Sequence, residues 1–374
     1  MQKEFHYYAT YTAAYLAGFS HEESVEIAYS AALVDFCSED YLAELSAPAR
    51  AATTQLQLEM VDTKSDWAGR RKITEIWASF HFLPGDLYRE VKKGGRRYEE
   101  KYRLICDVNS DLLVKTVELA RGKGLQAVGL ALHILADTWA HRYFAGTPSL
   151  VINNTNYSFY ERVPGETGYE DRPVVFRHNP SGKDDPEKGI YVNTIYRSSE
   201  NSVMNLGHGR AGHLPDYSFA VYRYLPAWDD YEEVLKNNPE DFRHAFGQMV
   251  YALKCLRTET PFEKDTYDTE SVEPLEEEIR RILTHRSVES DLGWKELGEK
   301  LSGKTVPDFS VTDYCEEYRK AADGEKEETV LGRFFAAAIR QKNMVTQEIC
   351  QSGNRILLKR KWGKSKKNRA SDTK

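Results

Sequence analysis

The sequence predicts a mainly α-helical protein with an irregular insertion that carries a small β-hairpin. Apolar residues recur with helical spacing over the first 145 residues, and helices are expected to resume near residue 216. Between these parts, residues 147–205 are rich in Asn, Pro, Gly and Tyr and contain two alternating runs, RPVVFRH (172–178) and GIYVNTIYR (189–197). Because such alternation is typical of half-buried strands, we expect the two runs to form the hairpin.

The expected helices follow one another between clear breaks. Ser20 and Glu23 have the spacing of a capping box, which predicts that a helix begins there. Gly18 ends the preceding helix, and Pro84-Gly85 and Gly122-Lys123-Gly124 interrupt later ones. The predicted helices cover residues 7–16, 20–36, 46–62, 73–82, 104–121 and 125–143, and after the insertion they continue through 231–256, 274–283 and 330–350.

Composition and charge exclude several classes of protein. Hydrophobic residues make up 41% of the chain, so it can bury a large core. The net charge of −7 gives no general reason to expect a nucleic-acid or membrane binder. There is no leader-like start and no run of about 18 apolar residues. We therefore expect a cytoplasmic protein without stable membrane insertion.

The cysteines point neither to disulfides nor to a thiolate metal site. All five are far apart in the sequence, and none belongs to a CxxC pair. We expect them to be reduced and to serve in packing. A metal site in this chain would therefore use histidine nitrogen and carboxylate oxygen.

The segment LHILADTWAHRYFAG (132–146) places three polar side chains in an apolar helix. His133, Asp137 and His141 are four residues apart, so they lie about 40° from one another on one helix face. A buried carboxylate persists only if it is paired, hydrogen-bonded or bound to a cation. A metal ion is one such partner. The alternative is a carboxylate bonded to a helix end, with the histidines in polar niches.

Further His and Asp residues occur in similar apolar or glycine-rich settings. Asp35 lies in AALVDFC, His81 lies in IWASFHFLP, and His6 stands where the first helix begins. The segment GHGRAGHLPDYS adds His208, His213 and Asp216. Together with the triplet these are nitrogen and oxygen ligands without cysteine, which suits zinc, with manganese or iron as alternatives.

The order of these residues resembles that of a known superfamily. Taken along the chain, these residues resemble the ligand order of the zinc-dependent phospholipase C and single-strand nuclease superfamily. That superfamily has an all-helical fold with three clustered metals. The residues of this sequence that match the order are His6, Asp35, His81, His133, Asp137, His141, one histidine of the 208–213 cluster, and Asp216. LHILADTWAHRYFAG with GHLPD also resembles a bacterial family of unassigned function, which we interpret as a distant branch of it. The resemblance covers residues 1–145 and 205–230.

The resemblance implies a multi-helix metallohydrolase core like that of zinc-dependent phospholipase C, with two or three ions. One ion would be bound by Asp35, His81, His133 and Asp137. A second would be bound by His141, Asp216 and either His208 or His213. A third would be bound by His6 and a bridging Asp137, and Asp35 would also activate the attacking water. Secreted members use the amino group of an N-terminal Trp as a ligand, whereas this sequence starts with Met-Gln-Lys-Glu-Phe-His.

Clustered divalent ions suit hydrolysis of phosphoesters, so the leading hypothesis is a metal-dependent phosphodiesterase, nuclease or phospholipase-like hydrolase. Asp35 and Asp137 are its candidate catalytic residues. The substrate would contain phosphate, with nucleic acid and nucleotides among the candidates. The alternative is a helical interaction protein that metal stabilises but that does no chemistry. A di-iron oxidase is disfavoured because its sites use Glu, and the adjacent His-Asp pair of HD-type phosphohydrolases is absent from the sequence.

These expectations divide the chain into four regions. Residues 1–146 form a helical metal-binding half, and residues 147–205 form the insertion with the hairpin. Residues 206–358 form a helical part that completes the site. Residues 359–374 contain eight Lys or Arg residues and one Asp, which predicts a basic, disordered tail.

Overall fold

The predicted mainly helical fold with a small β component is confirmed in a computed structural model of the chain. The structure describes residues 1–55, 67–91, 94–155, 158–165, 168–178, 182–193, 207–288 and 292–357. The basic tail predicted at 359–374 lies outside the described residues, as does the second half of the helix expected at 46–62.

The helices fill most of the described chain. A short π-helical turn, Phe5–Ala9, leads into the first of them. The helices are α1 (Thr10–Leu16), α2 (His21–Leu33), α3 (Glu39–Glu44), α4 (Trp67–Phe80), α5 (Arg96–Tyr102), α6 (Asp111–Ala120), α7 (Leu125–Ala140), α8 (Leu150–Asn153), α9 (His208–Ala211), α10 (Asn238–Thr258), α11 (Glu276–Thr284), α12 (Gly293–Ser302), α13 (Cys315–Lys320) and α14 (Val330–Gln351). Among the described residues, no helix is both long and apolar enough to cross a membrane.

Helix α7 lies at the centre of the helical part. Every residue from Gln126 to Ala140 is buried, and α2, α4, α6, α10 and α14 pack around the helix. The capping box predicted at the start of α2 is present, since Ser20 Oγ accepts a hydrogen bond from Glu23 N and the Glu23 side chain accepts one from Ser20 N. A helix that is apolar on all sides is stable only when neighbours cover it completely, and this one is covered.

Helices α2 and α7 approach each other most closely at Gly129. A Cβ atom at this position would lie 2.2 Å from the backbone oxygen of Ile27 and 3.0 Å from the backbone nitrogen of Ala31. The nearest atom is a backbone oxygen, and Ser30 Cβ at 2.7 Å is fixed to the backbone, so neither can move aside without separating the two helices. The crossing therefore requires glycine.

Replacing Gly129 with Ala is expected to lower the free energy of unfolding by about 3 kcal/mol, because the two helices must separate to admit the methyl group. Gly247→Ala is the matched control, since a Cβ there would make an ordinary 3.7 Å contact with Tyr267. Ala is the better helix former, so the control should be neutral or stabilising by up to about 1 kcal/mol. Chemical denaturation of both variants checks this, and equal effects would contradict the proposed close crossing.

The sheet joins the insertion to the residues that follow it. The described strands are β1 (Tyr160–Gly165), β2 (Gly168–Pro173), β3 (Val175–Arg177), β4 (Ile190–Val192), β5 (Val221–Tyr224) and β6 (Val234–Asn237), of which β3 and β4 form a separate two-stranded sheet. A four-stranded antiparallel sheet has the order β2-β1-β5-β6, with Tyr160 opposite Pro173 on one side and Arg223 on the other. The insertion was expected to end at residue 205, and this four-stranded sheet contains strands from both sides of that residue.

The predicted pairing of the two alternating runs is wrong. Strands β3 and β4 lie within these runs, but they pair in parallel, with Val175 opposite Ile190. The chain folds back at Asp185, whose backbone exchanges both hydrogen bonds with Ile190, and so β4 starts at the same end as β3. The hairpin of the insertion is instead formed by β1 and β2. Alternation indicates a strand but does not specify its partner.

Two helix predictions are also corrected. The expected helix at 46–62 is wrong for residues 46–55, where Ser46 has a positive φ and Pro48 disfavours helical geometry at the residue before it. Residues 221–224 and 234–237, where helix was expected in whole or in part, are strands. In β5 the side chains of Tyr222 and Tyr224 are buried while their neighbours are partly exposed, which is the alternation of a strand.

Candidate metal centre

The end of α7 preserves the predicted stacking of three side chains. His133 and Asp137 lie in the helix, which ends at Ala140. His141 follows the helix, but its backbone nitrogen still donates to the Asp137 oxygen at 2.9 Å. The three side chains therefore remain about one turn apart on one face.

Asp137 lies at the centre of a group of imidazoles. Its Oδ1 is 3.1 Å from Nε2 of His6, and its Oδ2 is 3.2 Å from both Nδ1 of His81 and Nε2 of His133. Only 1% of the Asp137 side chain is exposed. The ring of His6 stacks on that of His133 with 3.8 Å between their centres. Residues from three separate segments thus meet at one buried carboxylate, as the metal hypothesis requires.

Asp35 approaches the same imidazoles from the solvent side. Its Oδ1 is 3.8 Å from Nδ1 of His81 and 3.9 Å from Nε2 of His133. About a third of the Asp35 side chain is exposed. These distances are too long for hydrogen bonds but leave room for an ion between the ligand atoms.

A second group forms around Asp216. Its Oδ1 lies 3.3 Å from Nε2 of His141 and 3.3 Å from Nε2 of His208. Of the two histidines left open by the sequence, the structure brings His208 to this carboxylate. His213 points elsewhere, and its Nδ1 lies 2.9 Å from Oδ2 of Asp184.

Three of the imidazoles are oriented by backbone carbonyls. Thr53 O is 3.0 Å from His81 Nε2, Ala31 O is 2.9 Å from His133 Nδ1, and His81 O is 2.7 Å from His141 Nδ1. Carbonyl oxygens only accept hydrogen bonds, so these ring nitrogens carry the protons. In neutral rings the opposite nitrogens then present lone pairs to the cluster, which is the usual arrangement behind a metal-binding histidine.

The facing ring nitrogens also indicate a missing positive charge. Nδ1 of His81 and Nε2 of His133 are 3.4 Å apart, and with both rings neutral two lone pairs would face each other. A cation between these two nitrogens would satisfy both lone pairs. Nδ1 of His6, the ring nitrogen opposite the one that faces Asp137, is buried without a hydrogen-bond partner among the described residues. The donor set, imidazole nitrogen with carboxylate oxygen, fits zinc, manganese or iron.

The carboxylates stay ionised despite their burial. Burial alone would raise the pKa of Asp137, but His141, the Met1 α-amine and His133 hold it well below its ordinary value. The pKa of Asp216 is likewise well below its ordinary value, since His208 and the same amine outweigh burial. Two negative charges are therefore available to a bound cation at neutral pH.

The α-amine of Met1 lies between the two carboxylates. It is buried, 3.1 Å from Oδ1 of Asp137 and 3.1 Å from Oδ1 of Asp216. Burial would lower the pKa of this amine, but Asp137, Asp216 and Asp35 together raise it to about 11. The amine thus forms ion pairs with Asp137 and with Asp216, the central carboxylates of the two groups.

The pKa of His6 makes the metal-free protein sensitive to acid. Burial lowers this pKa to about 4, below the ordinary value of 6.5. The unfolded state therefore binds more protons than the folded state between these values, so stability falls as the pH drops through this window. From pH 7 to pH 5 the loss due to His6 is about 2 kcal/mol.

Urea unfolding of chelator-treated protein at the two pH values measures this loss, with His6→Gln as the comparison. His81 acts in the opposite direction, because contacts with Asp137 outweigh burial and raise its pKa. The difference between wild type and His6→Gln isolates His6. The same pH dependence in both proteins would contradict the prediction.

The site opens into a cavity of about 320 Å³. Asp35, His81, His141, His208 and Asp216 line it from the cluster, and Met1, Thr54, Trp77, Phe82 and Gly209 complete the lining. The ring of Phe82 stacks on that of His141 at 4.7 Å. The cavity is large enough for a phosphate group with part of its substituent.

Some residues of the site could not be predicted from the sequence. The α-amine of Met1 belongs to the backbone, so no side chain in the sequence points to it. The carbonyl of Thr53, which orients His81, lies in a segment without a motif. In the sequence, Trp77 and Phe82 look like ordinary core residues near His81. Asp184 lies in a polar stretch, GKDDPEKG, where acidic residues are common.

The fold and the site define a mainly helical protein with His and Asp groups that could bind metal ions. Among the described residues, ligand atoms within 4.8 Å of one another come from His6, His133 and Asp137, from Asp35, His81 and His133, and from His141, His208 and Asp216. The chain belongs to the family described as "Family of unknown function (DUF6765)", whose model matches residues 1–349. No curated protein matches the chain, and no solved structure matches it.

Proposed function

We propose that this protein is a metal-dependent hydrolase of phosphoesters. The observation that carries the proposal is the convergence of imidazole nitrogens and carboxylate oxygens from five separate parts of the chain, four of which also contribute His or Asp side chains to the wall of one cavity. A structural metal site is normally closed by protein ligands, whereas a catalytic one keeps a position open to substrate. The cavity beside Asp35 and Asp216 provides that access.

Three sets of residues would hold the ions. Asp35, His81 and His133 form the first set, and His141, His208 and Asp216 form the second. His6 and Asp137 would form the third, and the other oxygen of Asp137 lies 3.2 Å from Nδ1 of His81 in the first set. Bound there, divalent ions would lower the pKa of a water molecule and offset charge on the phosphoryl oxygens.

The two candidate catalytic carboxylates have different surroundings. Asp137 is buried and contacts four histidines, so its part is to position ligands. Asp35 is partly exposed and lines the cavity, which lets it accept a proton from the attacking water. Phe82 and Trp77 form an apolar wall that limits access of bulk water to the reacting phosphate.

For the substrate we propose only its chemical class, a phosphoester. Nucleic acid and nucleotides remain candidates, because Arg96, Arg97 and Tyr169 lie exposed on the surface, where they can contact phosphates and bases. The non-catalytic interaction protein remains the second candidate. Asp137 and His133 are buried, so this part of the cluster is closed to solvent, and a closed site favours the interaction protein.

Elemental analysis and turnover together test the proposal. Protein purified without added metal should contain zinc, manganese or iron in stoichiometric amount and should hydrolyse bis(p-nitrophenyl) phosphate or p-nitrophenyl phosphate. Protein with metal but no turnover of any phosphoester would support the interaction protein. Protein without any of these metals would refute both.

A further inference from the structure

Basic side chains cluster on the surface where α5 lies beside the start of α4. Arg97 and Lys101 are four residues apart on α5, so they are neighbours on one helix face. Arg70, near the start of α4, approaches Lys101 from the other helix, since burial, Arg70 and Arg97 together lower the pKa of Lys101. Three cations from two helices thus lie side by side.

Carboxylates do not balance the charge of this cluster. Oε1 of Glu100 is shared by two arginines, at 3.2 Å from Nε of Arg96 and 3.1 Å from Nε of Arg355. Among the described residues, neither Arg97 nor Lys101 forms an ion pair, and Arg97 is exposed. Like charges one helical turn apart repel each other, so the cluster costs stability in the isolated protein. Such an excess of cations on one surface is the electrostatic footprint of an anionic partner.

The last described residues of the chain extend the same surface. Arg96 donates a hydrogen bond to Gly353 O at 3.4 Å, and the side-chain amide of Asn354 donates one to Glu100 O. This end of the described chain therefore lies against α5. Residues 359–374 follow shortly afterwards and contain eight Lys or Arg residues and one Asp. A strongly basic stretch of sequence thus continues from a segment that packs beside the cluster.

We propose that this basic surface binds the phosphate backbone of nucleic acid; its residues are Arg70, Arg96, Arg97, Lys101 and Arg355. Four of the five are arginines, whose planar guanidinium groups match the geometry of phosphate oxygens. Contacts of this kind need no particular base sequence. The proposal goes beyond the hydrolase function and does not depend on it, because none of these residues lines the cavity at the metal centre.

An anionic membrane is the other partner that this charge would attract. Stable attachment to a membrane generally needs an apolar contribution in addition to basic residues. The large apolar side chains that are exposed among the described residues are Phe36, Tyr88, Val151, Tyr169, Val175, Tyr231, Leu235 and Leu292. None of them belongs to α4, α5 or the described end of the chain. The observations therefore favour nucleic acid.

Fluorescence anisotropy of a fluorescein-labelled oligothymidylate, titrated with the full-length protein at several salt concentrations, tests the proposal. Each phosphate contact with a single strand contributes about −0.7 to the slope of log affinity against log salt concentration. Combining Arg97→Gln with Lys101→Gln should make the slope less negative by about 1.4 and lower the affinity about 25-fold at about 0.1 M salt. Arg97→Gln alone, at an exposed position, should change the slope by about half as much.

The matched control combines Arg280→Gln with Lys300→Gln. It removes the same charge from α11 and α12, where these two exposed cations pair with Glu276 and Glu278. This control should bind the oligonucleotide as wild type does. Thermal unfolding of both double variants verifies that they are folded. The anisotropy is read before cleavage is detectable by gel electrophoresis of the same samples.

Four results would overturn the proposal. They are a wild type that does not bind the oligonucleotide, unchanged binding by the variants at Arg97 and Lys101, equal weakening in the control, and tighter binding to phosphatidylserine vesicles than to the oligonucleotide. Because this binding does not use the metal centre, it can fail in an active hydrolase and can succeed in a protein without turnover. Its outcome is therefore separate from that of the hydrolase function.

Discussion

Asp137→Asn is expected to remove bound metal and turnover together. Asp137 contacts His6, His81 and His133 at 3.1–3.2 Å and is the carboxylate shared between two of the proposed ligand sets. Leaving buried charges without their partner costs about 3–5 kcal/mol. That corresponds to roughly 10²–10⁴-fold in metal affinity. The amide retains the shape of the carboxylate but not its charge, so the loss reports electrostatics rather than packing.

Elemental analysis and turnover of the purified variant measure this effect. Asp308→Asn is a matched control, since Asp308 is a mostly exposed carboxylate that bonds to Tyr8 and Lys295. It should keep the metal and rate of wild type. Asp35→Asn should give a third pattern, in which the first set keeps metal through its histidines while the rate falls. If Asp137→Asn retains metal in stoichiometric amount, the proposed centre is wrong.

Removal of metal is expected to lower the melting temperature by about 6–16 °C. A ligand present at 100 to 1,000 times its dissociation constant stabilises the folded state by about 3–4 kcal/mol. For a large domain each kcal/mol corresponds to about 2–4 °C. Without an ion, the facing nitrogens of His81 and His133 lose their common partner.

Thermal unfolding with and without a chelator measures the shift. Added zinc should restore the melting temperature, whereas magnesium should not, because magnesium prefers oxygen ligands and this cluster is rich in imidazole. Asp137→Asn is the control and should not respond to the chelator. An unchanged melting temperature in wild type, in protein shown to have lost its metal, would mean that the ion does not hold the cluster together.

Thermal unfolding and turnover, measured with and without a chelator, distinguish the hydrolase from the metal-stabilised interaction protein. A hydrolase loses turnover when the chelator is added and regains it with zinc. A metal-stabilised interaction protein shows the same thermal shift but has no turnover to lose. The cavity beside the cluster favours the hydrolase, because a site that serves only stability has no need of an opening.

Local chemistry determined much of this protein from the sequence alone. The spacing of His133, Asp137 and His141 placed three polar groups on one face, because the helical repeat depends on the backbone and not on neighbours. The capping box at Ser20 was predictable for the same reason, since both of its hydrogen bonds join residues three apart. The absence of CxxC pairs limited the metal ligands to imidazole and carboxylate.

Only the tertiary structure decided which distant groups meet. His208 and His213 are equivalent in the sequence, but the loop geometry brings one to Asp216 and the other to Asp184. Strands β3 and β4 were visible as alternating runs, yet their parallel pairing depends on how the chain between them returns. The α-amine of Met1 and the carbonyl of Thr53 carry no sequence signal, because every residue has a backbone. Contacts between separate segments follow from packing the whole chain, and no local pattern contains that information.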